Sequence, residues 1–265
     1  MDVTVRLSSQ PALPFAMIAS ITRIANKYKA QEIVDTASDR LANFLIPGHG
    51  HWIDAVALSW KERWKVGQEQ CGITLKPKDA VEAVNLAHLI RKPLMLPVAF
   101  YLCCLMDPVQ LRNGVVRADG VVEKLSDHDF ARCMRTIPIL AAQCHATVLR
   151  SLDVRYSTLP KVCSTCQERL GGVLNRYIEA INTERKHIPP LSDLLVRADR
   201  RETPVSVWMS KGLCSACDDS WLKGMGVGCV KTRECLAKCF AIEGMDETDF
   251  RLEGIEFDFI LKHPF

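Results

Sequence analysis

Apolar residues recur at helical spacing through most of this chain. In residues 13–28, Ile18, Ile21, Ile24 and Ala25 fall toward one side of a helical wheel, while Arg23, Asn26 and Lys27 lie elsewhere, which predicts an amphipathic helix. Residues 31–46 repeat the pattern through Ile33, Val34, Ala37, Leu41 and Leu45. Only Lys29 and Ala30 separate the two, so an antiparallel helical hairpin is expected, ended by Pro47, Gly48 and Gly50. Residues 52–64 predict a third helix, with Val56, Trp60 and Trp64 on one face. Pro77 suits the start of a helix running to about residue 90, with Ala80, Val84, Ala87 and Leu89 or its neighbours turned inward. Residues 94–106 form the most apolar segment and are expected at the centre of the first core, stopped by Pro108. Phe100 and Tyr101 should pack there with Trp60 and Trp64.

One stretch carries a β signal: Val115-Val116 and Val121-Val122 flank Asp119-Gly120, which predicts a short hairpin leaning on helices. Ser126 and Asp129 have the spacing of a capping box, opening a long helix to about residue 152 with Pro138 inside it. Cys144 and His145 on that helix point in different directions and do not form a nucleophile pair; a packing Cys beside a surface or interface His is the expected reading.

The cysteines change the picture. Cys163-Ser164-Thr165-Cys166 and Cys214-Ser215-Ala216-Cys217 are Cys-x-x-Cys pairs with 47 residues between them. Each is followed by helical apolar spacing, Leu170, Val173, Leu174 and Tyr177 after the first and Trp221, Leu222 and Met225 after the second. Two such knuckles supply the four thiolates of a structural zinc site, with Cys163, Cys166, Cys214 and Cys217 as ligands. Reduced thiols buried as packing are the main alternative, because the chain has 12 cysteines and Cys is a commonly buried residue. A redox pair ranks last, since no βαβ pattern surrounds either knuckle. Cys229, Cys235 and Cys239 are alternative ligands for which packing is the better account, and His49 and His51 read as a loop pair without a nearby third ligand.

Composition bounds the function classes. Hydrophobic content of 48% and charged content of 25% over 265 residues describe an ordinary globular protein, and a net charge of +3 is too small to argue for a polyanionic partner. The first residues lack the basic-then-apolar pattern of a secretory leader, and no run reaches the roughly 20 apolar residues of a membrane span, so an intracellular chain with reduced cysteines is expected. There is no Walker loop, His-Glu-x-x-His or Gly-x-Ser-x-Gly, and Gly224, Gly226 and Gly228 lack the strand and spacing of a dinucleotide loop. The expectation is a non-enzymatic protein-protein interaction module with an unidentified protein partner. Lys161, Arg169, Arg176, Arg185 and Lys186 would serve an alternative, a zinc-dependent nucleic-acid-binding regulator, but Glu168, Glu179 and Glu184 are interspersed among them.

Several segments together resemble a known family. Residues 21–28 followed by Ile33 and Leu41 resemble the last helical pair of a BTB/POZ domain. Trp52 with Trp60, residues 84–87, residues 96–101, residues 114–125 and the two cysteine knuckles are similar, in that order, to the helical region after BTB in fungal, mushroom-type BTB-domain proteins. The resemblance spans about residues 13–250, and the strands and early helices of the BTB dimer interface have no counterpart in it. It implies an adaptor-type binding function. The expected fold is mainly α, a helical array with one short hairpin and a Cys-stapled C-terminal part. Its divisions are 1–46 as the BTB-like helical pair, 47–155 as the helical core with the hairpin near 115–122, and 156–265 as the Cys-rich helical region.

Overall fold

A computed structural model of the chain describes residues 13–46, 73–76, 78–152, 163–183, 213–218, 221 and 235–242. The expected helix over 52–64, its two tryptophans and the histidines at 49 and 51 lie outside these residues. The fold is mainly α, as the periodicity predicts. In chain order the elements are β1 (Leu13–Pro14), α1 (Phe15–Lys27), α2 (Gln31–Leu45), β2 (Ile73–Thr74), α3 (Asp79–Leu89), a 3-10 turn (Pro93–Met95), α4 (Leu96–Cys104), α5 (Pro108–Asn113), β3 (Val115–Val116), β4 (Val122–Glu123), α6 (Asp127–Leu152), α7 (Ser164–Thr183) and α8 (Leu236–Cys239).

Every residue of α4 is buried, so it forms the centre of the first core, with α3, α6, α2 and α8 packed against it. Phe100 and Tyr101 are buried as expected, and Phe100 meets Phe240 of the C-terminal segment at 5.4 Å between ring centroids. Helix α1 buries Phe15, Ile18, Ala19, Thr22 and Ala25. This corrects the expected face, because Ile24 points to solvent. The small Ala19 and Thr22 sit on the inward side, where α2 contributes the equally small Ala37 and Ser38, and small side chains permit close approach of backbones. Thr22 Oγ1 is satisfied by donating to the Ile18 carbonyl at 2.8 Å. In α3, Leu86 is buried while Leu89 is exposed.

The link between α1 and α2 is a Schellman turn. Ala30 N–H donates to the Ala25 carbonyl and Lys29 N–H to that of Asn26, with Lys29 at φ 58. The ends of α3 and α8 repeat it, with Arg91 at φ 55 and Ala241 at φ 47. All three place a non-glycine residue in the left-handed region that favours glycine.

Helix α4 stops at Cys104, short of the expected residue 106, and Pro108 opens α5, a short helix the pattern does not show. Asp107 Oδ1 accepts from the Val109 and Gln110 N–H groups at 2.9 and 3.0 Å, and Pro108 occupies the first turn, where no N–H is needed. Gly114 closes α5 at φ 89 and leads into the hairpin, whose register pairs Val115 with Glu123 and Val116 with Val122. Arg117 N–H donates to the Val121 carbonyl and Gly120, at φ 83, donates to that of Arg117, so the turn is longer than a two-residue Asp-Gly loop. A second β feature was not foreseen: β1 pairs with β2 in parallel, Leu13 opposite Ile73.

The hairpin is pinned to the helices by charge. Glu123 accepts from Arg23 of α1 at 3.2 Å, from Arg117 at 2.9 Å and from Asn85 of α3 at 2.6 Å, while Arg23 also pairs with Glu82. Burial pushes the Glu82 carboxyl pKa up despite the guanidinium beside it. Ser126 caps α6 as expected: Asp129 N–H donates to Ser126 Oγ at 3.1 Å, and that hydroxyl donates to the Asp129 carboxylate at 2.9 Å. Pro138 lies inside α6.

Two clusters of buried side chains organise these elements, and α6 belongs to both. Its first half contributes Cys133 and Leu140 to the large core, and its last turns contribute Val148 and Leu152 to a smaller one with Leu170, Val173, Tyr177 and Trp221. Residues 235–242, though within the Cys-rich 156–265 stretch of the sequence, return to the first core through Leu236, Phe240 and Ile242. Thr136 Oγ1 ties them to α6 by sharing its proton between the Arg132 carbonyl at 2.9 Å and the Cys239 carbonyl at 3.1 Å.

Candidate metal centre

Both cysteine knuckles have the same local structure. The Cys163 carbonyl accepts from Gln167 N–H and the Cys214 carbonyl from Asp218 N–H, each at 2.9 Å, so each first cysteine stands just before a helical turn and each second cysteine lies three residues into it. The positive end of α7 lies beside Cys163 and Cys166.

In the fold the two knuckles come face to face. No two of the sulfurs of Cys163, Cys166, Cys214 and Cys217 are more than 4.8 Å apart. Four thiolates on one zinc ion, with bonds of about 2.3 Å, stand about 3.8 Å from one another. The donor set and its spacing fit a soft divalent ion. Cys214 N–H also donates to Cys166 Sγ at 3.3 Å, which ties one knuckle to the other. Cys166 and Cys217 are buried, whereas Cys163 and Cys214 are exposed. All four are free thiols, with no disulfide between the knuckles.

Without a cation these thiols compete for protons. The backbone N–H of Cys217, helped by the Cys217 and Cys166 thiols, lowers the Cys214 pKa to about 7. For Cys166 the Cys214 N–H favours the thiolate, but the Cys163 thiol, burial and the other two thiols outweigh it and push the pKa up to about 12. Cys217 is likewise raised: a Cys163 backbone bond favours its thiolate and is outweighed chiefly by the Cys214 thiol and burial. A divalent ion held by Cys163, Cys166, Cys214 and Cys217 would remove the conflict, because each ligand would ionise against the metal charge.

The second core lies directly behind the site. Leu170 follows Cys166 by four residues and Trp221 follows Cys217 by four, so both knuckles deliver an apolar side chain to the same cluster. At its edge His145 Nδ1 lies 2.8 Å from the Tyr177 hydroxyl, joining α6 to α7, and burial lowers the His145 pKa. The expected interface role of this histidine is thus seen.

Among the described residues, no other group of three or more potential ligands converges in this way. Cys239 instead packs on the first core beside Gln143, whose Nε2 donates to its sulfur at 3.4 Å. Cys229, the glycines at 224–228 and the cations at 161, 185 and 186 lie outside the described residues, as does the Cys144 side chain. Arg169 and Arg176 are exposed on α7, as are Glu168 and Glu179. Two clusters escaped the sequence reading: the Arg23–Glu82–Glu123–Arg117 network, and the sulfurs of Cys103, Cys104 and Cys133 between α4 and α6. Only the adjacent Cys103-Cys104 pair hinted at the second, and nothing in the linear order points to its third member.

No described helix is long and apolar enough to cross a membrane. No protein-family model, curated protein or solved structure gives a significant match to the chain.

Proposed function

We propose that this chain is a non-enzymatic, mainly helical protein-binding module whose second half is held together by structural zinc. The convergence of Cys163, Cys166, Cys214 and Cys217 carries the reading. Four thiolates fill the coordination sphere of zinc and leave no position for water or substrate, which is the pattern of structural sites and not of catalytic ones. Zinc, when bound, supplies a cross-link between the two knuckles. The chain's own residues do the rest: Leu170, Val173, Tyr177 and Trp221 pack on Val148 and Leu152 of α6. The binding role is supported by the order of segments that resembles the region after BTB in fungal adaptor-type proteins. It is supported also by apolar side chains left at the surface, Val116, Val121 and Val122 on the hairpin. Reduced cysteines suit an intracellular setting.

The test is metal content followed by hydrogen exchange. Chain purified with zinc should carry one zinc per molecule, and Cys166→Ser and Cys217→Ser should each lower that occupancy. A chelator should speed amide exchange in Ser164–Thr183 and at 213–218 while α4 stays protected. A metal-free chain whose exchange a chelator leaves unchanged overturns the zinc reading. For the binding role, an affinity-captured protein retained at high salt is the expected outcome. Nucleic acid retained with a steep salt dependence would overturn it.

A further inference from the structure

The four sulfur ligands of the candidate metal centre are not equivalent. Cys163 and Cys214, the first cysteine of each knuckle, are exposed, whereas Cys166 and Cys217, the second of each, are buried at 2% and 6% exposure. Each buried cysteine lies one helical turn before the apolar side chain that its knuckle delivers to the second core, Leu170 or Trp221. Cys166 Sγ is engaged further by the Cys214 N–H at 3.3 Å. The site therefore has a core-side pair and a solvent-side pair, and the solvent-side pair takes one cysteine from each knuckle, with their sulfurs no more than 4.8 Å apart.

We propose, resting on the zinc reading above, that the centre is redox-regulated: hydrogen peroxide joins Cys163 to Cys214 in a disulfide across the two knuckles, and the zinc is released. Access and position select the pair. Peroxide arrives from solvent, and of the four ligands these two are the exposed ones. Closing from 4.8 Å or less to a disulfide of about 2.0 Å moves the sulfurs toward each other by under about 3 Å. Metal binding requires each ligand sulfur to be deprotonated, and the thiolate is the nucleophilic form. The step balances. One exposed sulfur attacks peroxide, the O–O bond breaks, sulfenic acid forms and hydroxide departs. The other exposed sulfur attacks the sulfenic sulfur, the S–O bond breaks, the S–S bond forms and a second hydroxide departs. Both hydroxides take protons from solvent. Two thiolates, one peroxide and two protons thus give one disulfide and two waters, with two electrons passing from sulfur to oxygen. Cys166 and Cys217 remain, and two thiolates are too few for a closed structural site. The oxidised chain exchanges a metal cross-link for a covalent one at the same place, and a dithiol reductant reverses the exchange.

The test uses the full chain, loaded with zinc and freed of excess metal, with its zinc content measured before any oxidant is added. After brief treatment with hydrogen peroxide, released zinc is read with a chromogenic chelator and the cysteines are alkylated and mapped. Trypsin places the knuckles on separate peptides, residues 162–169 and 212–223. The expected product joins those two peptides with loss of two hydrogens, and fragmentation assigns the bond to Cys163 and Cys214, with Cys166 and Cys217 alkylated. One zinc should be released per link formed, and dithiothreitol with added zinc should restore the starting content. In Cys163→Ser the link should disappear; if that variant does not fold, the wild-type map decides. Zinc retained with all four cysteines recovered as thiols overturns this inference and leaves the zinc site standing. A chain without zinc before oxidant overturns both. Zinc released with only sulfinic acids, or with a bond inside one peptide, overturns the proposed pair.

Discussion

Replacing Gly114 by alanine should destabilise the chain far more than the loss of glycine freedom alone. Its backbone, at φ 89 and ψ 176, lies in a region that is essentially glycine-only and costs other residues about 1–3 kcal/mol. A Cβ there would stand 2.5 Å from the Glu123 carbonyl oxygen and 2.5 Å from Lys124 Cγ. The lysine side chain can swing aside, but the carbonyl belongs to β4. Making room means moving that strand, and with it the Glu123 carboxylate that Arg23, Arg117 and Asn85 hold. Overpacking of this kind adds about 1–3 kcal/mol. The expected total is about 2–6 kcal/mol, on the order of 10 °C of melting temperature at roughly 2–4 °C per kcal/mol. Gly120→Ala is the matched control: its φ is 83, yet an added Cβ meets nothing within 4 Å. It should lose only about 1 kcal/mol. Paired thermal or urea melts decide the matter. Equal losses at the two positions would refute the close-approach argument and leave backbone strain as the whole effect.

Other perturbations have defined directions. Lys29→Gly and Arg91→Gly relieve left-handed backbone at two Schellman turns and should each raise stability by about 0.5–1 kcal/mol, read from urea midpoints. Phe100→Ala removes a fully buried ring that stacks near Phe240 and Arg132, and calorimetry should show a loss of about 3–5 kcal/mol. Burial lowers the folded pKa of His145, so the unfolded chain takes up that proton first. Stability should therefore fall as pH drops below about 6.5 and level off below the folded pKa. Melts of wild type and His145→Gln across that window should diverge, and parallel curves would remove His145 from the account.

What the sequence showed was local. Ser126 and Asp129 form their cap because both partners lie within four residues, and α4 is buried because its side chains are apolar on every side. The cysteine knuckles were legible for the same reason, since each pair sets its own geometry and the convergence needs only one more condition. What the sequence hid depended on neighbours. Ile18, Ile21 and Ile24 form as good a stripe as Phe15, Ile18, Ala19 and Thr22, and only the approach of α2 selects the second. The two-residue pairing of Leu13 with Ile73 has no period to detect. Phe240 follows Cys235 and Cys239 in the sequence, and its place against Phe100 follows from a return of the chain that no local pattern encodes.

That return has a consequence for how the two knuckles would behave if a metal ion bound between them were removed. Leu152 leaves from one end of α6, and Thr136 on the same helix holds the Cys239 carbonyl. The stretch carrying both knuckles is therefore tethered at both ends to one helix, α6. With no ion between them, the two cysteine pairs would stay at a high effective concentration with respect to each other, set by tether length and not by dilution. Reloading would then be an intramolecular search, independent of protein concentration.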